Sequence, residues 1–265
     1  MGRLSPDHPA RAVGSWMMLA LVSLFVTSCT TGPTLHAVPL DPEQSEQILT
    51  AIASREERLS MMQGLFQVAI GDGRIPLATQ SMNGVLYYQR PRFIRLKGLT
   101  QFGGIVFDFV QQGDRFTLQV PGMVSQPLVG TLDQLDEIGE FGRPIRLALQ
   151  AMGPMLGTLT QENPRILVFQ EENRYRLDVY RQKHDATVHP HIRVWVNGSY
   201  EPLRLAYLDA GGDPILVVRY DHYQRVSSLP LNAAELRLPY HVQARDLEQS
   251  LSVTMTFIEI LATVG

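Results

Sequence analysis

Residues 65–120 read LFQVAIGDGRIPLATQSMNGVLYYQRPRFIRLKGLTQFGGIVFDFVQQGDRFTLQV. Short apolar runs at Leu65–Ile70, Val85–Gln89, Phe93–Lys97, Ile105–Val110 and Phe116–Val120 recur about every ten residues, with turn-forming residues between them. Gly71-Asp72-Gly73 is a turn signal, and the connectors Gln89-Arg90-Pro91-Arg92 and Gln111-Gln112-Gly113-Asp114 are short enough for hairpins. Parallel neighbours need crossovers of about a dozen residues or more, so this spacing predicts successive antiparallel strands.

The rhythm resumes downstream. Tyr175, Leu177 and Val179 alternate with Arg174, Arg176 and Asp178, and Ile192, Val194 and Val196 alternate with Arg193 and Trp195. Such a period of two gives each strand one wet face. Leu203–Leu208 and Ile215–Tyr220 flank the turn Asp209–Pro214, and Leu236–Ala244 with Ser250–Ile260 form a closing pair. Three helices interrupt the strands. Asp41 is placed to cap a helix with Pro42 at its first position, Glu43 on its dipole, and Glu46, Arg55 and Glu57 facing out. Ile48, Leu49, Ile52 and Leu59 supply the apolar spacing of that helix. Between 131 and 158, Leu132, Leu135 and Ile138 precede a second apolar group opened by Pro144 and stopped at Gly153-Pro154.

About ten to eleven antiparallel strands in one sheet tend to curl or close. Three short helices cannot cover a flat sheet of that size, yet each has an apolar side. The expected fold is therefore mainly β: an unclosed antiparallel barrel with the helices as a lid over an apolar concave face.

The chain has 265 residues, 45% hydrophobic and 18% charged, with a formal net charge of −3. Only Lys97 and Lys183 are lysines, and no basic run exists to neutralise phosphates, which argues against a nucleic-acid partner. The first 28 residues read as an export signal. Arg3 and Arg11 precede the apolar run Trp16–Val26, which at 11 residues is too short to span a bilayer. The run ends at Val26-Thr27-Ser28-Cys29, which resembles a bacterial lipobox. That resemblance implies cleavage before Cys29, the only cysteine in the chain, with diacylglycerol on its thiol and an acyl chain on its new amine. Thr30, rather than aspartate, follows the cysteine, which by the same resemblance implies the periplasmic face of the outer membrane. Residues 30–42 carry three prolines and no strand or helix periodicity, and read as a tether. The expected organisation is a signal peptide at 1–28, a lipidated tether at 29–42 and one domain at 43–265.

Met61–Val68, Met82–Tyr88, Arg90–Leu96 and Phe102–Asp108, in that order, followed by Leu229-Pro230 and Leu236–Pro239, resemble the LolA/LolB superfamily. The resemblance implies a half-barrel with a helical lid and no enzymatic activity. The implied ligands are acyl chains of lipids or lipoproteins, with a periplasmic carrier as partner. The anchor makes the membrane-bound LolB type the nearer comparison. In that type the connection at Leu99–Gly104 protrudes and carries an apolar residue before a glycine, which enters the membrane. The matching residue is Phe102, with Leu99 beside it, although the proline of the usual turn is absent. Packing of Phe102 under the sheet edge is the competing reading.

No G-x-S-x-G elbow, H-E-x-x-H helix or phosphate-cradling loop occurs, and no motif calls for a cofactor. His184, His189 and His191 in HDATVHPH could hold zinc, but Pro190 and the interstrand position fit a turn better. Met61, Met82, Met152, Met155, Met255 and Phe257 are the candidate cavity lining, because methionine suits adaptable apolar sites. The leading functional expectation is an anchored lipoprotein that accepts or inserts lipoproteins. The alternative is an envelope scaffold whose curved sheet docks a partner protein.

Overall fold

A computed structural model of the chain describes residues 37–72, 79–122, 126–159, 164–180, 189–226 and 236–265. The export signal, Cys29, His184 and Leu229-Pro230 lie outside the described residues. The described residues contain fourteen strands. They are β1 (Val38–Pro39), β2 (Leu59–Asp72), β3 (Thr79–Gln89), β4 (Phe93–Leu99), β5 (Ile105–Gln112), β6 (Arg115–Gln119), β7 (Leu128–Thr131), β8 (Arg165–Glu171), β9 (Arg174–Tyr180), β10 (Ile192–Asn197), β11 (Pro202–Leu208), β12 (Pro214–Arg225), β13 (Arg237–Asp246) and β14 (Leu251–Val264).

They make one antiparallel sheet in the order β1-β8-β9-β10-β11-β12-β13-β14-β2-β3-β4-β5-β6-β7. The end strands β1 and β7 do not pair with one another, so the barrel stays open. Nearly every neighbour in the sheet is also a neighbour in sequence, as the short connectors predict. The long-range closure is β14 on β2, where Met255 faces Val68 and Phe257 faces Phe66. Alternation sets the faces: Ile94 and Leu96 are buried between Arg95 and Lys97, and Phe116 and Leu118 between Arg115, Thr117 and Gln119.

Three strands carry no alternation strong enough to read. β1 is two residues long and holds β8 through Val38 opposite Gln170, inside the stretch expected to be a tether. β7 has four residues. β8 reads Ile166-Leu167-Val168-Phe169, apolar on both faces.

Helix α1 (Pro42–Arg58) starts as expected, with Asp41 Oδ1 accepting from the Gln44 N–H at 2.8 Å. Ile48 and Ile52 are buried. Arg55 does not face solvent. Its Nη2 donates to the carbonyl of Arg237 on β13 at 3.0 Å, and burial lowers its basicity. Glu56 is buried beside it and accepts from the Leu159 N–H at 3.1 Å. Gly157 allows this approach, since a Cβ there would lie 3.0 Å from Glu56 Cβ and its φ is +75°.

A 3-10 turn, Leu132–Glu137, leads into α2 (Gly139–Met152). The helix begins earlier than the proline signal indicates, and Pro144 lies inside it. The cause is tertiary. A Cβ on Gly142 would sit 1.8 Å from the Leu135 carbonyl oxygen, so the glycine lets the 3-10 turn rest directly on the helix. The Tyr220 hydroxyl donates to the Ala151 carbonyl at 2.7 Å, and the Phe141 ring lies 6.3 Å from that of Phe107. These contacts lay α2 across the concave side of the sheet. No helix of the described residues is long and apolar enough to cross a membrane.

Candidate functional site

The concave face is not filled evenly. Between α2 and the strands β2–β5 and β14 lies a cavity of about 640 Å³, lined by Phe66, Val68, Met82, Phe107, Phe141, Val253 and Met255 among others. Its shape follows from glycines at inward positions. A Cβ on Gly84 would meet Phe66 at 2.4 Å, and one on Gly98 would meet Phe107 at 2.4 Å. Each glycine lets an aromatic ring lie down on the sheet, covering bare backbone while leaving the space toward α2 open.

The lining residues Ile70, Gly71, Gly98, Val106 and Leu251 stand at one end of their strands. The β4–β5 hairpin turns at that same end. Its turn is tight: the Thr100 N–H donates to the Gly104 carbonyl at 2.8 Å, and the Gly103 N–H donates back to the Thr100 carbonyl at 3.0 Å. Gly103 has φ +83°, a region that glycine adopts without strain. Phe102 sits on this turn with 98% of its surface exposed, Ile105 is also exposed, and Leu99 is half-buried at the end of β4.

On the other flank of α2 a second cavity of about 650 Å³ is lined by polar groups, including Arg143, Arg146, Gln150, His191, Tyr207 and Asp246. Arg146 forms an ion pair with Asp136, which also lines this cavity. Burial pushes the Tyr207 phenol up to about 12. Arg143 and Gln249 border both cavities.

Of the methionines read as cavity lining, Met82 and Met255 line the apolar cavity. Met61 does not. It is half-exposed on the convex face, because alternation turns its neighbour Met62 inward. Met152 and Met155 are fully buried core residues at the end of α2, and Phe257 is buried over Gly64. None of these three borders either cavity. The lining residues Phe66, Phe107 and Phe141 were not singled out from sequence. The readable signal for Phe66 and Phe107 is a strand glycine directly opposite each of them, whereas Phe141 on α2 carries no such signal. His184 lies outside the described residues. His189 rests against the Gly212 turn, and His191 opens β10 with its backbone N–H on the Val179 carbonyl at 3.0 Å. Among the described residues, no group of three or more His, Cys, Asp or Glu side chains could hold a metal ion.

No protein-family model matches the chain, and no curated protein matches it in sequence. Solved structures do resemble it. A LolA superfamily protein from Nitrosomonas europaea superposes with a TM-score of 0.56 at 15% identity, covering 82% of this chain and 92% of that one. The chain has a LolA-like fold. An outer membrane lipoprotein-sorting protein domain from Vibrio parahaemolyticus gives 0.58 at 12% identity over 84% and 93%. A DUF1329 family protein from Desulfovibrio piger gives 0.57 at 12% identity over 85% and 95%. The LolA-like fold matches the open sheet with its small helical lid.

Proposed function

We propose that this chain is a non-enzymatic envelope lipoprotein that shelters acyl chains in the apolar cavity and accepts or inserts lipoproteins or related lipids. The observation that carries the reading is the juxtaposition of two features. A hollow roofed by α2 is rimmed at the same strand ends from which Phe102 projects into solvent. A cavity of this size suits a ligand of a few hundred Å³, and each methylene buried contributes about 0.8 kcal/mol. An exposed phenylalanine on a tight turn supplies an apolar tip for entering a bilayer next to the cavity mouth. The lipoprotein-sorting relation of the Vibrio structure supports the same reading.

In this proposal Cys29 carries the lipid anchor, at the periplasmic face of the outer membrane. Several acyl chains then hold the protein firmly, since one alone binds only weakly. Substituting Cys29→Ala should abolish palmitate labelling without unfolding the protein, because no disulfide depends on it. Palmitate labelling that survives the substitution would exclude this anchor.

The function is tested with the Cys29→Ala chain and a fluorescent fatty acid. Saturable binding, with lipid recovered on extraction, is expected; a lipid-free protein that ignores the probe would overturn the proposal. Phe102→Glu should change stability by less than about 0.5 kcal/mol, as exposed substitutions do, while ending lipid delivery to vesicles. Unfolding by the same substitution would make Phe102 a core residue and remove its transfer role.

A further inference from the structure

The convex face of β8–β13 carries a feature that lipid shelter does not use. Register places Phe169, Arg176, Trp195, Arg204 and Arg219 side by side across five strands. The Arg176 guanidinium lies 4.2 Å from the Phe169 ring centre, and that of Arg204 lies 4.8 Å from Trp195. Beneath them two carboxylates are buried. Glu171 accepts from Arg176 Nη1 and from Trp195 Nε1, both at 2.9 Å. Asp178 accepts from both Nε and Nη2 of Arg193, at 2.8 and 3.3 Å. Their side chains are 7% and 6% exposed, so they serve as internal clamps and offer solvent no negative charge.

The arginines exceed the clamps. Arg174, Arg176, Arg193, Arg204, Arg219 and Arg245 share this face with Glu171, Asp178 and Asp221, and neither lysine of the chain lies on these strands. Arg204 and Arg219 are exposed and directly opposite one another, and neither forms an ion pair among the described residues. Arg204 is less basic than usual, because of partial burial and the nearby charges of Arg219, Arg174 and Arg193. This is uncompensated like charge, held in place by aromatic stacking, on a chain whose net charge is negative.

We propose that this face docks an acidic polypeptide segment, with Arg204 and Arg219 taking its carboxylates and Trp195 forming the apolar floor. Guanidinium forks match carboxylates in pairs, and tryptophan with arginine is the combination that concentrates binding energy at protein interfaces. Anionic headgroups would answer the same charge. However, Phe102 belongs to β4–β5, in the other half of the open sheet. A bilayer receiving that tip meets strand ends rather than this face. The choice of a polypeptide over headgroups rests on the membrane-facing reading of Phe102, whereas the arginine cluster itself does not, so the two proposals fail in different experiments.

Trp16 and Trp195 are the only tryptophans, so the full chain carrying Trp16→Phe reports on this face through Trp195 alone. The probes are a polyglutamate peptide of about twelve residues and vesicles of phosphatidylcholine with about one-third phosphatidylglycerol. The peptide should shift Trp195 emission saturably at low salt, and the shift should fade toward roughly 0.3 M salt. Arg204→Glu with Arg219→Glu should weaken binding more than about tenfold, whereas Arg92→Glu with Arg115→Glu, the same change of charge elsewhere, should stay within about twofold. Arg204→Lys with Arg219→Lys keeps the charge and loses the forks, and should weaken binding several-fold. No saturable shift, or equal losses in both charge-reversed pairs, would overturn the proposal. Vesicle binding that depends on Arg204 and Arg219 as strongly as peptide binding would replace it with a lipid-headgroup surface.

Discussion

The two flanks of α2 rest on strands of the same kind, yet one encloses an apolar hollow and the other a polar one. On the β2–β5 flank each of β2, β3 and β4 places one glycine among its large apolar inward residues. Phe66 and Phe107 lie on Gly84 and Gly98 and leave free volume above them. On the β9–β12 flank the inward positions hold Leu205, Tyr207 and Tyr220, together with His191 at the strand edge, and α2 turns Arg146 and Gln150 toward them. Alternation alone makes a sheet amphipathic. The inward residues that lack a Cβ decide whether the covered face is solid or hollow, and the helix face opposite decides what the hollow accepts.

The comparison breaks most severely at the shared wall. Gly142→Ala drives a methyl into the Leu135 carbonyl, a backbone contact that cannot relax by rotating a side chain. A loss of about 3 kcal/mol is expected from such overpacking, read as a lower urea midpoint at constant slope. With α2 displaced, fatty-acid binding should be lost as well. A midpoint unchanged in Gly142→Ala would mean that the 3-10 turn does not rest on the helix.

A sharper division comes from filling each side separately. Ala148 borders the apolar cavity and Gln150 the polar one. Ala148→Phe should weaken fatty-acid binding about tenfold by occupying the volume the chain needs, and Gln150→Phe should leave it within about twofold. Equal losses in a titration of both variants would show one continuous cavity.

The smallest effect is a pH dependence confined to the polar flank. Burial raises the Tyr207 phenol from 10.0 to about 12. A group whose folded value is raised contributes stability that is intact below the unfolded value and lost as pH climbs past it. The contribution is therefore complete below pH 10 and disappears between pH 10 and about pH 12. Tyr207→Phe should flatten the fall in unfolding free energy over that window, and Met82→Leu, on the apolar flank, should not. An alkaline profile identical in the Tyr207→Phe protein would assign the loss to Tyr220 and Tyr223, which burial also raises.

Much of the fold was legible because hairpin strands are local. Eleven strands announced themselves through alternation and turns, and Asp41 announced the start of α1. β8 stayed hidden because Leu167 and Phe169 keep its convex side as apolar as its concave side, and Phe169 is covered by Arg176 from the next strand. Arg55 looked solvent-facing because helical spacing cannot know that β13 offers the Arg237 carbonyl to it. The site was less legible. Methionine count pointed to Met82 and Met255 but equally to Met61, which a one-residue difference in alternation places on the opposite face.

By itself the sequence determined the strand rhythm, the antiparallel hairpins, the excess of strands over helices that leaves a curved sheet needing a lid, and the turn that bears Phe102. These follow from periodicity and from backbone geometry a few residues long. Tertiary structure alone decided where α2 lies, which glycines are covered by aromatic rings, and that arginines as far apart in the chain as Arg174 and Arg245 share one convex face. The reason is register. Alternation assigns a residue to a side of the sheet, but its neighbours on that side are set by how each strand slides against the next.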